Sequence, residues 1–160
     1  MMPPIDPPFT VRRATAGDID ILVAFTLREA LEAEGLDLDA AAVQRGVRGA
    51  FENPARAAYW VAETPDGHIV ASTSVVTEWS NFRGGDYWWI QSLYVAPEHR
   101  GRGLVERLLD HVWTAARASD ALDLRLYAHR SNARALRAYD RCGFTASPYI
   151  ILTRARGHHG

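Results

Sequence analysis

The chain has 160 residues, of which 48% are hydrophobic and 23% are charged, and its formal net charge is −1. These values predict one globular domain with a substantial core, and they argue against a disordered chain or a general nucleic-acid binder. No apolar run reaches the roughly 20 residues that a membrane-spanning helix needs, and the first ten residues lack the basic start and apolar stretch of a signal peptide. We therefore expect a cytoplasmic protein with no membrane and no nucleic acid among its partners.

The residue types that are present or missing exclude several kinds of site. All 18 basic residues are Arg, so the chain has no Lys for a Walker-type phosphate loop or for a pyridoxal Schiff base. The single Cys142 cannot form an intrachain disulfide or build a thiolate metal site alone, which is typical of a reducing cytoplasm. His158 and His159 have no metal-type partners at suitable spacing, so we expect no metal.

The charge is distributed unevenly along the chain. Residues 1–99 hold 7 Arg and 14 acidic residues, whereas residues 100–160 hold 11 Arg and 5 acidic residues. An acidic half beside a basic half suits a cationic ligand next to a polyanionic one. Ordinary variation of surface charge explains the same counts, so the pattern alone does not indicate a site.

The spacing of the apolar residues predicts nine elements between an N-terminal tail over residues 1–10 and a C-terminal tail over residues 157–160. Helices are predicted over 17–33, 38–51, 103–118 and 132–141, and strands over 57–63, 68–79, 87–95, 122–128 and 149–154. The strand over 87–95 is almost wholly apolar or aromatic, so it should be central, and a homodimer formed through it is compatible with the sequence. The order α-α-β-β-β-α-β-α-β predicts an α/β (α+β) fold, with an open sheet and flanking helices in a single domain over residues 11–156.

A glycine-containing loop joins the strand over 87–95 to the next helix. Gly101 and Gly103 let the backbone approach a ligand closely, and the first turn of the helix presents N–H groups without helical partners. Such groups bind phosphate oxygens with the help of the helix dipole, and Arg100 and Arg102 add positive charge. The loop therefore favours a pyrophosphate site, although a tight strand-to-helix turn also needs glycine.

Two segments together resemble the GNAT superfamily of acyl-CoA-dependent N-acetyltransferases. They are the run VAPEHRGRGL over residues 95–104 and the run NARALRAYDRCGF over residues 132–144. The resemblance implies a mixed, mostly antiparallel central sheet flanked by helices. It also implies that acetyl-CoA (CoA) is the acyl donor and that a primary amine of a small molecule or peptide attacks the thioester directly in a ternary complex. The acidic N-terminal half favours a cationic amine acceptor.

The resemblance implies a role for each matching residue. Asn132 would hydrogen-bond the cofactor arm, and Tyr139 would give a proton to the departing thiolate, although a buried core aromatic is the alternative for Tyr139. Backbone groups of the central strand would hold the acyl group and the pantetheine arm, namely those of Leu93, Tyr94 and Val95. The loop and the first helical turn would cradle the pyrophosphate through Arg100, Gly101, Arg102, Gly103, Leu104 and Val105.

The sequence departs from the family pattern at two positions. Val105 stands where the family's loop usually has Gly or Ala, and its β-branched side chain leaves less room near the phosphates. Trp89 stands near the place of the catalytic Glu of histone-type members, and an indole cannot accept a proton. These departures leave open a non-catalytic acyl-CoA-binding or sensing module on the same fold, and a pure interaction domain is a third interpretation.

The base that deprotonates the amine is not part of either motif. A primary amine has a pKa near ~10.4 and arrives protonated, so it must lose a proton before it attacks. Glu78 is the predicted base, because the aromatic residues between Trp79 and Trp89 would bury it partly, raise its pKa and attract a cation. A hairpin that faces solvent is the alternative for Glu78. The other candidates to accept or relay the proton are Glu32, Glu34, Asp86 and His129.

Overall fold

A computed structural model describes residues 8–157 of the chain. Residues 1–7 of the predicted N-terminal tail, and residues 158–160 with His158 and His159, lie outside the described residues. The helices are α1 (Ile19–Glu34), α2 (Ala40–Glu52), α3 (Leu104–Ala118) and α4 (Ala133–Arg141). The strands are β1 (Thr10–Arg13), β2 (Ala58–Glu63), β3 (Ile69–Ser80), β4 (Gly85–Val95) and β5 (Leu124–Leu126).

The strands form one five-stranded sheet in the order β1-β2-β3-β4-β5. All neighbours are antiparallel except β4 and β5, so the predicted mixed, mostly antiparallel sheet with flanking helices is confirmed. β3 is the middle strand, and β4 lies between β3 and β5 rather than at an edge. The predicted homodimer stays a prediction.

β4 separates from β5 partway along its length. The two strands pair only where Trp88–Ile90 faces Leu124–Leu126. On the other side of β4, Ser74 pairs with Ser92 and Val75 pairs with Ile90, so Gln91 is an extra residue in a β-bulge. Beyond this bulge, the β4 edge that faces β5 is open, and this opening positions the site described below.

Helices cover both faces of the sheet because side chains alternate along each strand. Trp60 and Ala62 of β2 join the main core, into which α3 inserts Leu104, Leu108 and Val112. Val61, between them on β2, faces the other side and packs with a residue of each of the first two helices, Leu22 and Val47. Among the described residues, no helix is both long and apolar enough to cross a membrane.

Two elements differ from the sequence prediction. β1 was not predicted, and its first residue, Thr10, lies in the range assigned to the N-terminal tail. The last predicted strand, over 149–154, is wrong, because no described strand pairs with this segment. A strand requires a hydrogen-bonded neighbour, and apolar composition alone does not supply one. Its four apolar side chains are 62–84% exposed, namely those of Tyr149, Ile150, Ile151 and Leu152.

Candidate active site

A cavity of about 460 Å³ opens where β4 separates from β5. It is lined by the C-terminal half of β4, the glycine loop, the start of α3, the end of α1 and one face of α4. Of the predicted site residues, only Arg102 and Glu78 lie outside the lining. The predicted residues that it brings together are Leu93, Tyr94, Val95, Arg100, Gly101, Gly103, Leu104, Val105, Asn132 and Tyr139.

The glycine loop has the backbone conformation that an anion cradle requires. Gly101 and Gly103 have φ angles of 77° and 76°, in the left-handed region that side chains disfavour. Gly103 is also the N-cap of α3, and the first helical hydrogen bond runs from the Arg107 N–H to its carbonyl. The N–H groups of the first turn therefore have no acceptor within the helix and can bind an anion. Val105 packs partly against the main core beside this turn, and its effect on the phosphates stays a prediction.

Of the two loop arginines, only Arg100 lines the cavity. Arg100 donates from Nη2 to Oε2 of Glu32 at 2.6 Å and from Nε to the Val95 carbonyl at 3.0 Å. Its guanidinium is thus held between α1 and β4, and Arg102 is exposed outside the cavity. Two further positive side chains of the cavity lining come from α4, as Arg134 and Arg141, and Nε of Arg141 lies 3.9 Å from Oε1 of Glu106 on α3.

A carboxylate that the sequence analysis did not identify contacts the open edge of β4. Oε1 of Glu29, on α1, accepts a hydrogen bond of 3.0 Å from the Leu93 N–H. Burial raises the pKa of Glu29 to about 7, although the bond from Leu93 acts in the opposite direction. The nearby charge of Glu34 raises it further. No local motif marks Glu29, because its position follows from the packing of α1 against β4.

Tyr139 and Asn132 both reach the cavity from α4. The Tyr139 ring lies 6.0 Å from that of Phe144, edge to face, and is half-buried. Burial, followed by the charge of Glu29, raises the pKa of Tyr139 to about 12. Asn132 is the N-cap of α4, and its Oδ1 accepts from the Ala135 N–H at 3.2 Å. Capping leaves the amide nitrogen of Asn132 available as a donor.

The surroundings of Glu78 differ from the prediction. Glu78 is exposed on β3, so its expected partial burial is wrong. Alternation along β4 turns Trp88 into the core while Trp89 faces the opposite side of the sheet, so the aromatic residues do not enclose one site. The guanidinium carbon of Arg125 lies 3.4 Å above the Tyr87 ring, so the cation held there is the chain's own.

The other candidate groups lie outside the cavity or are engaged elsewhere. Asp86, Glu34 and His129 are exposed and do not line it, and Glu32 is paired with Arg100. Cys142 packs against the main core, and burial raises the pKa of its thiol, which disfavours a nucleophilic thiolate. Within residues 8–157, no group of three His, Cys, Asp or Glu side chains is arranged to hold a metal ion.

Comparison with known proteins gives one family and one fold. Residues 24–144 match the family model described as Acetyltransferase (GNAT) family. A possible acetyltransferase from Clostridium difficile 630 superposes with a TM-score of 0.87 at 27% identity, covering 94% of this chain and 99% of that chain. A predicted acetyltransferase with acetyl-CoA from Clostridium acetobutylicum gives a TM-score of 0.73 at 21% identity, with coverages of 95% and 100%. None of the curated proteins matches the chain.

A third solved structure extends the fold comparison to an enzyme that acts on a protein. The ribosomal-protein-alanine N-acetyltransferase from Brucella melitensis biovar Abortus 2308 superposes with a TM-score of 0.76 at 17% identity. The match covers 94% of this chain and 100% of that chain. At this identity, the likeness concerns the fold and not the substrate.

Proposed function

The chain belongs to the Acetyltransferase (GNAT) family, and from that premise we propose that it is an N-acetyltransferase. In this proposal, a primary amine of a small molecule or peptide attacks acetyl-CoA directly, within a ternary complex. The observation that carries the proposal is the shared cavity, in which the glycine loop, the open edge of β4 and the Tyr139 side chain line one space. Each of these features serves a different part of the acyl donor or of the reaction.

The phosphates of the donor are assigned to the glycine loop and the start of α3. An added Cβ at Gly101 would meet no atom within 4 Å, so the space beside the loop is open to a ligand. The N–H groups of the first helical turn and the positive end of the helix dipole favour an anion there. Arg134 and Arg141, from α4, add positive charge to the same cavity, although Nε of Arg141 lies 3.9 Å from Oε1 of Glu106 on α3.

The thioester is assigned to the open edge of β4, next to Tyr139. A backbone N–H that points into a half-buried cavity stabilises the negative charge that develops on the carbonyl oxygen during the attack. Leu93 provides such an N–H, because β5 no longer pairs with β4 at that point. The phenol of Tyr139 lines the same cavity and would give its proton to the leaving sulfur.

The acceptor amine is expected to be cationic. Glu29 and Glu32 bring negative charge from the N-terminal half of the chain to the cavity. The charge of Glu32 is matched by Arg100, whereas no cationic side chain among residues 8–157 pairs with Glu29. A protonated amine that enters the cavity would therefore be drawn toward Glu29.

The proposal is tested by binding and turnover measured on the same protein. Isothermal titration gives the affinities for acetyl-CoA and CoA, and thiol release is followed with spermidine, 1,4-diaminobutane and a peptide that has a free N-terminal amine. Binding with amine-dependent thiol release supports the proposal. Binding without any amine-dependent release would favour the non-catalytic acyl-CoA-binding module, and no binding at millimolar ligand would exclude both.

A further inference from the structure

The carboxylate of Glu29 occupies the backbone position at which the acyl group is expected. It reaches Leu93 across 64 residues of sequence, and its Oε1 lies 3.0 Å from the Leu93 nitrogen. This N–H has no partner on β5, because the pairing of β4 with β5 ends at Ile90. The carboxylate therefore satisfies a donor that the sheet leaves open.

We propose that Glu29 is the base that takes a proton from the acceptor amine, and that its carboxylate leaves the Leu93 N–H when the thioester carbonyl binds there. The inference rests on the proposed function, since a base is needed only if an amine is acetylated. It replaces Glu78, which is exposed on β3 and outside the cavity.

The displacement follows from the hydrogen-bonding capacity of one N–H. A backbone N–H makes one well-aligned hydrogen bond, so the carboxylate and the carbonyl oxygen compete for it. The displaced carboxylate stays in the cavity, because α1 fixes its backbone. It is then half-buried and has lost its donor, and both conditions favour protonation. Binding of the acyl donor thus frees the carboxylate to accept a proton from the amine.

The electrostatic surroundings of Glu29 suit a base that works near neutral pH. Burial raises the pKa of Glu29 to about 7. The titratable groups that face it from other elements are the phenols of Tyr59 on β2 and Tyr139 on α4, and burial raises both of their pKa values. Both phenols are therefore neutral at pH 7. Arg100, a cationic residue of the cavity wall, is engaged by Glu32.

The proton and electron transfers balance without any further reactant. Glu29 takes one proton from the ammonium and passes it to solvent, and the nitrogen lone pair forms the C–N bond as the C=O π pair moves onto the oxygen, from which it returns on collapse. The C–S bond then breaks, and its electron pair leaves with the sulfur. Tyr139 protonates the sulfur as it leaves and recovers a proton from the nitrogen of the N-protonated amide that this step produces. The products are an amide, CoA as a thiol and one released proton.

Binding measurements test the displacement without any acceptor. Acetyl-CoA has the carbonyl that competes with Glu29, whereas CoA lacks it. In Glu29→Ala, we expect acetyl-CoA to bind roughly 10-fold more tightly, because its carbonyl no longer displaces a charged acceptor, while the affinity for CoA stays unchanged. Glu29→Gln should fall between Glu29→Ala and the wild type, and Glu52→Gln, an exposed change on α2, should match the wild type. An acetyl-CoA affinity that is unchanged or weaker in Glu29→Ala would overturn the displacement.

Kinetics test the role as a base. In Glu29→Gln, we expect kcat with the amines named above to fall by roughly 10²- to 10⁴-fold and the acidic limb of the kcat/KM profile near pH 7 to disappear. The defect should shrink with 2,2,2-trifluoroethylamine, which is largely unprotonated at about pH 8 and does not need the base. A purely structural role would instead lower the rates with both kinds of amine and weaken binding.

The outcomes separate this inference from the proposed function. Wild-type turnover that Glu29→Gln retains, with the same pH profile, would overturn only the assignment of the base. A wild type that releases no thiol with any amine would overturn the proposed function and, with it, the base. Thermal unfolding of each variant excludes a folding defect as the cause of a lost rate.

Discussion

The phenol of Tyr139 keeps its proton far above neutral pH, because burial and the charge of Glu29 raise its pKa to about 12, so the proton assigned to the leaving sulfur is present at neutral pH. Tyr139→Phe removes this proton but keeps the packing of the ring against Phe144. We therefore expect turnover to fall by roughly 10- to 1,000-fold with little change in the affinity for acetyl-CoA. A residual rate remains, because a thiol with a pKa near ~8.5 leaves without an obligatory donor.

The measurement pairs thiol-release kinetics with titration of acetyl-CoA. Tyr127→Phe is the matched control, because Tyr127 is 64% exposed and does not line the cavity. It should leave both quantities unchanged. If Tyr139→Phe lost acetyl-CoA binding, the hydroxyl would be a ligand contact rather than a proton donor.

The proposed acid and the proposed base differ in how far the sequence can reveal them. Tyr139 lies in a helical motif whose other residues are adjacent in sequence, so a local pattern identifies it. Glu29 reaches the cavity only because α1 packs against β4, and no pattern within α1 encodes that contact. Glu78 is the opposite case, because the local sequence predicted a partly buried carboxylate and the side chain is exposed. Residues adjacent in a strand point to opposite faces of the sheet, so the neighbouring aromatic residues do not enclose Glu78.

The glycine loop, as an element, should bind the donor through its backbone conformation. Gly101 and Gly84 form a matched pair, with φ angles of 77° and 67° and no atom within 4 Å of an added Cβ. Alanine at either position costs roughly 1–2 kcal/mol of backbone strain. Only Gly101 lines the cavity, where relief of the strain would turn the N–H groups away from the phosphates.

We therefore expect Gly101→Ala to weaken acetyl-CoA binding by roughly 10-fold or more, and Gly84→Ala to leave it unchanged. Thermal unfolding and isothermal titration of both variants provide the comparison. If both variants lose similar stability but only Gly101→Ala loses affinity for acetyl-CoA, the result supports phosphate binding by the glycine loop. Equal affinities in the two variants would show that the loop conformation does not bind the donor.

The elements that the sequence predicted are those whose pattern is local. The helices and the long strands repeat apolar residues over two or more turns or over several alternations, so their boundaries are nearly correct. β1 has only four residues, two of them Arg, and no such pattern. It forms because it pairs with β2 and because Arg12 bridges Asp18 and Glu63, and both contacts lie outside the strand itself.

At the scale of the whole molecule, charged residues from both halves of the sequence line the same cavity. Its lining takes Glu29 and Glu32 from α1, Glu106 from α3, and Arg134 and Arg141 from α4. The counts along the chain could predict both signs of charge, but only the packing of the helices around β4 brings them to one cavity. The carboxylates of α1 favour an amine there, and the arginines of α4 favour phosphates.

The segment after Pro148 tests whether a strand-like sequence contributes to the stability of the whole molecule. Residues 149–157 are exposed. Among the described residues of this segment, the Tyr149 N–H is the only group that donates a hydrogen bond, and its acceptor is the Ser147 hydroxyl. A chain that ends at Pro148 should therefore unfold within about 2 °C of the full chain in a thermal scan. Leu108→Ala, at a fully buried position, should lower stability by roughly 2–5 kcal/mol and shows the sensitivity of the assay. If the shortened chain were destabilised to a similar extent, residues 149–157 would make stabilising contacts with the rest of the chain in solution.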